Sequence, residues 1–280
     1  MSDRPDDAPS VPPLLERDTH PPSGMRYPWI DARVPGVVRV VGGGERSGRL
    51  APRRNPAQAI VIHSTGRGII ERWLALGAAE RAHRSPAALA LEVYRRGPTG
   101  PHYMIDQEGR ITQLCSEELC AWGVGSKGAA PYVRAARDWD VVRGRNDPRY
   151  RWWRERWPEY GSPADLGGGH LWDRDPLAGG RLSCNANVIH LEVVEPIGRR
   201  AEWSPATWAS LTPLVADIAA RRELALERDR VLTHADAHPL ARTTASGAPY
   251  DTRASGQFSW ARLERELAAR GIRGAQLPVG

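Results

Sequence analysis

Apolar residues along the chain fall into short β-branched runs, separated by segments whose apolar positions recur every three or four residues. These two periods distinguish strands from helices. Residues 37–41 (Val-Val-Arg-Val-Val) form the first strand-like run, closed by the turn signal Gly42-Gly43-Gly44. Residues 59–63 (Ala-Ile-Val-Ile-His) form a second, which stops on Ser64-Thr65-Gly66. Helical spacing follows over 69–82, with Ile70, Trp73 and Leu74 on one face. It resumes after Ser85, a residue suited to cap a helix whose first position is Pro86. Residues 102–106 and 110–114 flank Gln107-Glu108-Gly109 and predict a hairpin. Residues 187–194 alternate as a strand, and Ser204-Pro205 opens a helix through Trp208, Leu211, Leu214, Val215 and Ile218. Pro213 falls inside that helix and is expected to kink it or shift its start. A short strand over 230–234, an irregular loop to 256 and a helix capped by Ser259 complete the pattern.

Two regions break this rhythm. Residues 1–25 hold six prolines and too little apolar content to offset the entropy of ordering, and read as a flexible leader. Residues 26–57 form an N-terminal extension to a domain over 58–270. Within that domain, 126–183 is rich in Gly, Pro, Arg and Trp without sustained period and reads as a large irregular insertion. Strands alternate with helices and no internal repeat is visible. The expected fold is therefore α/β: a single domain with a central mixed β-sheet flanked by helices.

At 280 residues the chain is long enough to bury a core without covalent staples. It has no apolar run near the roughly 18 residues a membrane span needs, which argues against a transmembrane enzyme. The first ten residues lack the basic start and apolar centre of a secretory signal, so any export is expected to use another route. Of 39 basic residues against 33 acidic, only Lys127 is a lysine. Guanidinium groups grip carboxylates and phosphates in bidentate fashion, and arginine-rich codon usage gives the same count. The resulting +6 charge permits an acidic partner such as nucleic acid or an anionic cell-wall polymer. Acidic residues are interspersed and no nucleic-acid motif accompanies the charge, so nucleic-acid binding is not expected. Cys115, Cys120 and Cys184 make no paired metal knuckles.

Chemistry enters with His63 and His234, each at the end of an apolar strand. Strand ends of α/β folds converge at one sheet edge, so residues distant in sequence can meet there. Each histidine alone reads equally as a hydrogen-bonded structural residue. A zinc ion that activates water needs three nitrogen or carboxylate ligands and one open position. His63 and His234 with Asp251 supply such a set.

The blocks Ile60-Val61-Ile62-His63-Ser64-Thr65, 102–111 (His-Tyr-Met-Ile-Asp-Gln-Glu-Gly-Arg-Ile), Ala121-Trp122-Gly123-Val124-Gly125, Asn187-Val188-Ile189-His190-Leu191-Glu192, Thr233-His234-Ala235-Asp236 and Tyr250-Asp251 run in order along the chain. In that order they resemble the zinc-dependent N-acetylmuramoyl-L-alanine amidases, which share a fold with peptidoglycan recognition proteins and phage amidase lysozymes. The resemblance implies His63, His234 and Asp251 as zinc ligands and Glu192 as general base. Asp251 requires an insertion in its loop, because the family's usual spacing lands near Ala245; His238 and Asp236 compete for the third place. Pro101 stands where phage-type relatives carry a tyrosine, which shifts the burden to Glu192. Pro249 stands where several relatives carry a lysine, leaving Arg242 or Arg253 to supply positive charge. Trp122 matches a groove-lining position and reads as a substrate contact or as packing under the sheet, while Gly123 replaces the usual histidine.

The implied activity is hydrolysis of the amide between N-acetylmuramic acid and L-alanine in peptidoglycan or muropeptides. Its implied setting is that of a lytic or secreted antibacterial enzyme. The alternatives are a non-catalytic peptidoglycan-recognition module and a cytosolic muropeptide-recycling amidase. Action on the cell wall after non-classical export or phage-type release fits the first setting, in which an immunity protein or delivery machinery is a possible partner; otherwise the protein is cytoplasmic. The tryptophans of the insertion, Trp139, Trp152, Trp153, Trp157 and Trp172, suit either sugar stacking or a small satellite core. His170 reads as a loop residue. Cys115 and Cys120 are close enough in sequence for a local disulfide after export, or remain buried thiols.

Overall fold

The computed structural model describes residues 34, 36–40, 42, 50–65, 67–97, 100–121, 123, 147–169, 171–175, 181–197, 202–243, 246 and 258–272. A six-stranded sheet runs in the order β1 (Val38–Arg39), β4 (Ile111–Gln113), β3 (Tyr103–Ile105), β7 (Val188–Val193), β2 (Ala59–Ser64) and β8 (Val231–Thr233). Strands β3, β7, β2 and β8 are mutually parallel, β4 returns antiparallel to β3 as the expected hairpin, and β1 lies parallel to β4. Both central strands, β2 and β7, are buried at every position. That explains why they read as near-continuous apolar runs.

On one face of the sheet, Ile60, Ile62, Ile189 and Leu191 pack against two amphipathic helices, α5 (Pro205–Arg221) and α8 (Trp260–Ala269). Pro213 does not break α5. The Ala209 carbonyl, which loses its intrahelical partner to the proline, accepts instead from Arg270 Nη2 at 3.3 Å, just past α8. On the opposite face, α1 (Arg67–Leu74) and α3 (Pro86–Arg96) cover Met104 and Leu114. Ser85 caps α3 as its sequence predicts, accepting from the Ala88 N–H at 3.1 Å. The single helix expected over 69–82 is two, because the chain turns extended at Gly77 before α2 (Ala78–His83).

The segment 126–183, expected to be an irregular insertion, is more regular than its sequence implies. Its described part contains α4 (Pro148–Arg156), a 3-10 turn at Pro163–Asp165 and an antiparallel pair, β5 (Asp173–Asp175) with β6 (Arg181–Ser183). Helix α4 was illegible because its arginines mask the one apolar contact repeated at helical spacing, Trp153 and Trp157. Those two indoles are fully buried against Ala59, Val61, Val188 and Leu232. They extend the main core, which rules out sugar stacking by this pair, and Trp152 and Trp172 lean on the same cluster. Trp139 and His170 lie outside the described residues.

Beside β3 sits a buried ionic cluster. Glu117, fully buried, accepts from Arg221 Nη1 and Nη2 at 2.8 and 2.7 Å, from Arg222 Nε at 2.7 Å and from the Tyr103 hydroxyl at 2.6 Å. Burial alone raises a carboxyl pKa; the bonds and charge of Arg221, helped by Tyr103 and Arg222, bring Glu117 down to about 2. At least part of the arginine excess therefore serves structure. Cys115, Cys120 and Cys184 are buried thiols outside any disulfide, so Cys115 and Cys120 are not bridged.

Candidate active site

Partners in a parallel ladder send their side chains to the same face. His63 on β2 is the partner of Glu192 on β7, which in turn partners Met104 on β3. His234 follows β8 directly and opens the short helix α6 (His234–Ala237). The row therefore lies at the C-terminal ends of the parallel strands, where open α/β sheets form their crevices. Glu192, on this row, is only 7% exposed.

The rings of His63 and His234 meet edge to face, with their Nδ1 atoms 2.9 Å apart. On its other side, His63 Nε2 lies 2.9 Å from His190 Nδ1. Arg242, at the end of α7 (Pro239–Arg242), donates from Nε to His234 Nε2 at 3.0 Å. All three rings are buried. Burial holds His190 and His234 well below the ordinary histidine pKa. The charges of Arg242 and His238 add to this at His234, and those of His63 and His102 at His190. Neutral imidazole is the form that binds metal.

Two imidazole nitrogens on a tetrahedral zinc, each at about 2.0–2.1 Å, lie about 3.3 Å apart. The Nδ1 pair stands 2.9 Å apart, a few tenths of an ångström short of that separation. His63 and His234 thus fit two of zinc's ligands. Asp251, Trp122 and Arg253 lie outside the described residues. Among the described residues, no group of three or more His, Cys, Asp or Glu side chains forms a metal site.

Asp236, one competitor for the third place, is committed elsewhere. Its buried carboxylate accepts from the Thr233 N–H at 2.9 Å, the Thr233 hydroxyl at 2.7 Å, Trp157 Nε1 at 3.1 Å and the Arg156 guanidinium. Its carbonyl accepts from Trp153 Nε1 at 3.0 Å. The bonds to Thr233 form a capping box that shapes the turn carrying His234, so Asp236 holds His234 in place from behind. The Thr-x-x-Asp spacing carried that signal in the sequence; the reach of Arg156 and Trp157 across the fold did not. His238, the other competitor, is buried one turn on, its ring 5.5 Å from Trp172, and burial takes its pKa down to about 4.

Residues 53–248 match the family model described as N-acetylmuramoyl-L-alanine amidase. No curated protein matches the chain. Among solved structures, similarity extends to a selenomethionine AmpD derivative, with 14% identity over 86% of this chain and 99% of that one and a TM-score of 0.44. The endolysin amidase LysCS from Clostridium intestinale URNW shows 12% identity over 85% and 99%, with a TM-score of 0.35. PGRP-Hd from Alvinella pompejana shows 13% identity over 72% and 85%, with a TM-score of 0.35.

Proposed function

Because the chain belongs to the N-acetylmuramoyl-L-alanine amidase family, we propose that it is a zinc-dependent peptidoglycan hydrolase that cuts the amide between N-acetylmuramic acid and L-alanine. The observation that carries the reading is the convergence of His63 and His234 at 2.9 Å on the strand-end row that also holds Glu192. His63 and His234 would hold the metal, with Asp251 as third ligand; His234 offers Nδ1 only once the Arg242 donor has left its Nε2. Bound there, zinc supplies a Lewis acid that polarises the scissile carbonyl and lowers the pKa of water from 15.7 towards ~7. Glu192 takes a proton from the attacking water and delivers it to the departing alanine nitrogen. The low exposure of Glu192 limits competing hydration of its carboxylate. Arg242, bonded to His234, sets a positive charge beside the site that favours an anionic substrate. Trp122 completes the proposed substrate contacts.

The test is release of stem peptide from purified sacculi. Expected are cleavage by the wild type, loss with a chelator, recovery on zinc addition and loss in Glu192→Ala. Binding to sacculi without cleavage at excess zinc overturns the enzyme in favour of a recognition module. The reading extends to a lytic or secreted antibacterial role, supported by the proline-rich composition of residues 1–25 and the length of the Trp- and Arg-rich segment 126–183. Activity confined to soluble anhydro-muropeptides overturns that extension in favour of recycling.

A further inference from the structure

His190 lies on β7 two residues before Glu192 and faces the same way. Its ring is completely buried, and Nδ1 stands 2.9 Å from His63 Nε2. The ring is held on two sides. It stacks on His102 at a centroid distance of 5.8 Å and an interplanar angle of 18°, and its own backbone N–H donates to His102 Nδ1 at 2.9 Å. Across the ring lies Gly123, where an added Cβ would fall 2.4 Å from His190 Cγ and 2.5 Å from Nδ1. The loop at 123 has room for glycine alone while the imidazole is there. Among the described residues, His190 Nε2 has no hydrogen-bond partner. A buried, partnerless ring nitrogen is costly and marks a ring kept for what its other nitrogen does.

A neutral imidazole carries one proton on two nitrogens. His63 offers a lone pair at Nδ1, towards His234, only when its proton sits on Nε2. That proton then points at His190 Nδ1, which accepts it only when the proton of His190 is on its own Nε2. Resting on the zinc reading above, we infer that His190 is a positioning residue that fixes His63 in the tautomer whose Nδ1 carries the lone pair a metal needs. It takes the place that a carboxylate or carbonyl usually has behind a metal-binding histidine.

The experiment uses the full chain in two measurements. In the metal-free wild type, long-range 1H–15N correlation of labelled histidines is expected to find the His63 proton on Nε2; a proton on Nδ1 overturns the inference. Zinc affinity is then read by competition with a chromophoric chelator. His190→Leu removes the acceptor and is expected to weaken binding by about 10–100-fold. His190→Asn sets an amide oxygen near the position of Nδ1 and is expected to restore most of that loss. Wild-type affinity in His190→Leu, or equal losses in both variants, overturns the inference. A wild type that binds no zinc overturns the zinc reading instead, and the tautomer measurement still judges His190.

Discussion

The carboxylate of Asp236 and the guanidinium of Arg156 form an ion pair that ties α4 to the turn carrying His234. The carboxylate is fully buried and the arginine a quarter exposed. Burial raises a carboxyl pKa, yet Arg156 and Thr233 together bring that of Asp236 below its ordinary value, so the group is charged in the folded protein. Helix α4 is therefore tied to the turn that carries His234.

Removing the cation strands that charge. Breaking a buried pair costs about 3–5 kcal/mol, and the partial exposure of Arg156 sets the expectation for Arg156→Ala near the lower end. Trp157→Phe keeps the ring and removes one donor to Asp236, with an expected cost of about 1–2 kcal/mol. Urea unfolding of the three proteins checks the order wild type, Trp157→Phe, Arg156→Ala. An Arg156→Ala protein as stable as the wild type would refute the clamp.

Glu192 separates chemistry from metal binding. It is assigned no ligand role, so Glu192→Gln is expected to lower turnover by about 10²–10⁴-fold, the usual worth of a general base, while zinc content stays at the wild-type level. Parallel assays of sacculus cleavage and bound metal decide the point. Loss of zinc together with activity would make Glu192 a ligand.

The third ligand is open to direct measurement. His63→Ala and His234→Ala are each expected to abolish tight zinc binding, and Asp251→Ala to weaken it strongly. Asp236 is already committed to Thr233, Arg156 and Trp157. Full zinc occupancy in Asp251→Ala therefore moves the third place to His238. Metal analysis after dialysis against a weak chelator provides the readout.

Strand periodicity exposed the sheet well, because β2 and β7 are buried on both faces and carry little but apolar residues. The same logic singled out His63 and His234, each ending such a run, and the structure brings their rings together. It failed where function depends on contacts across the fold. Nothing near Arg156 in sequence points to Asp236, and nothing near His190 distinguishes it from a packed strand residue. Gly77 and Pro213 show the limit for backbone signals: the glycine split a helix that periodicity read as continuous, while the proline was absorbed because Arg270 reaches the carbonyl it frees.

Acid sensitivity follows from two buried groups, His102 and Glu117. Burial, with the charge of Arg53 beside it, brings His102 down to about 3 from 6.5. Between those values the unfolded chain binds the proton and the folded one does not, so the contribution to stability is complete above about 6.5 and is lost as pH falls towards 3. Glu117, at about 2 against 4.5, adds stability present above 4.5 and lost as pH falls through 2. Stability to urea is thus expected to decline steadily from pH 7 to pH 3, with a shallower decline in Glu117→Gln among variants that fold. A flat profile over that range would contradict both assignments.

Two glycines with one backbone conformation separate strain from collision. Gly109 closes the β3–β4 hairpin at φ +78°, and Gly271 follows α8 at φ +70°. A side chain in this left-handed region costs about 1–2 kcal/mol. At Gly271 nothing lies within 4 Å of an added Cβ, so Gly271→Ala is expected to show that cost alone. At Gly109 the Cβ would stand 2.6 Å from the Ala206 carbonyl oxygen and 2.9 Å from Ser210 Oγ at the start of α5. Ser210 already donates to the Gly109 carbonyl at 2.6 Å, and Thr207 to that of Asp106 at 3.0 Å, so the hairpin cannot retreat without breaking these bonds. Overpacking of this kind adds about 1–3 kcal/mol. Gly109→Ala is accordingly expected to lose more than Gly271→Ala by that margin in urea unfolding. Equal losses would mean that the hairpin tip does not bear on α5 in solution, and the support of β3 beneath the Glu192 row would have to come from the sheet alone.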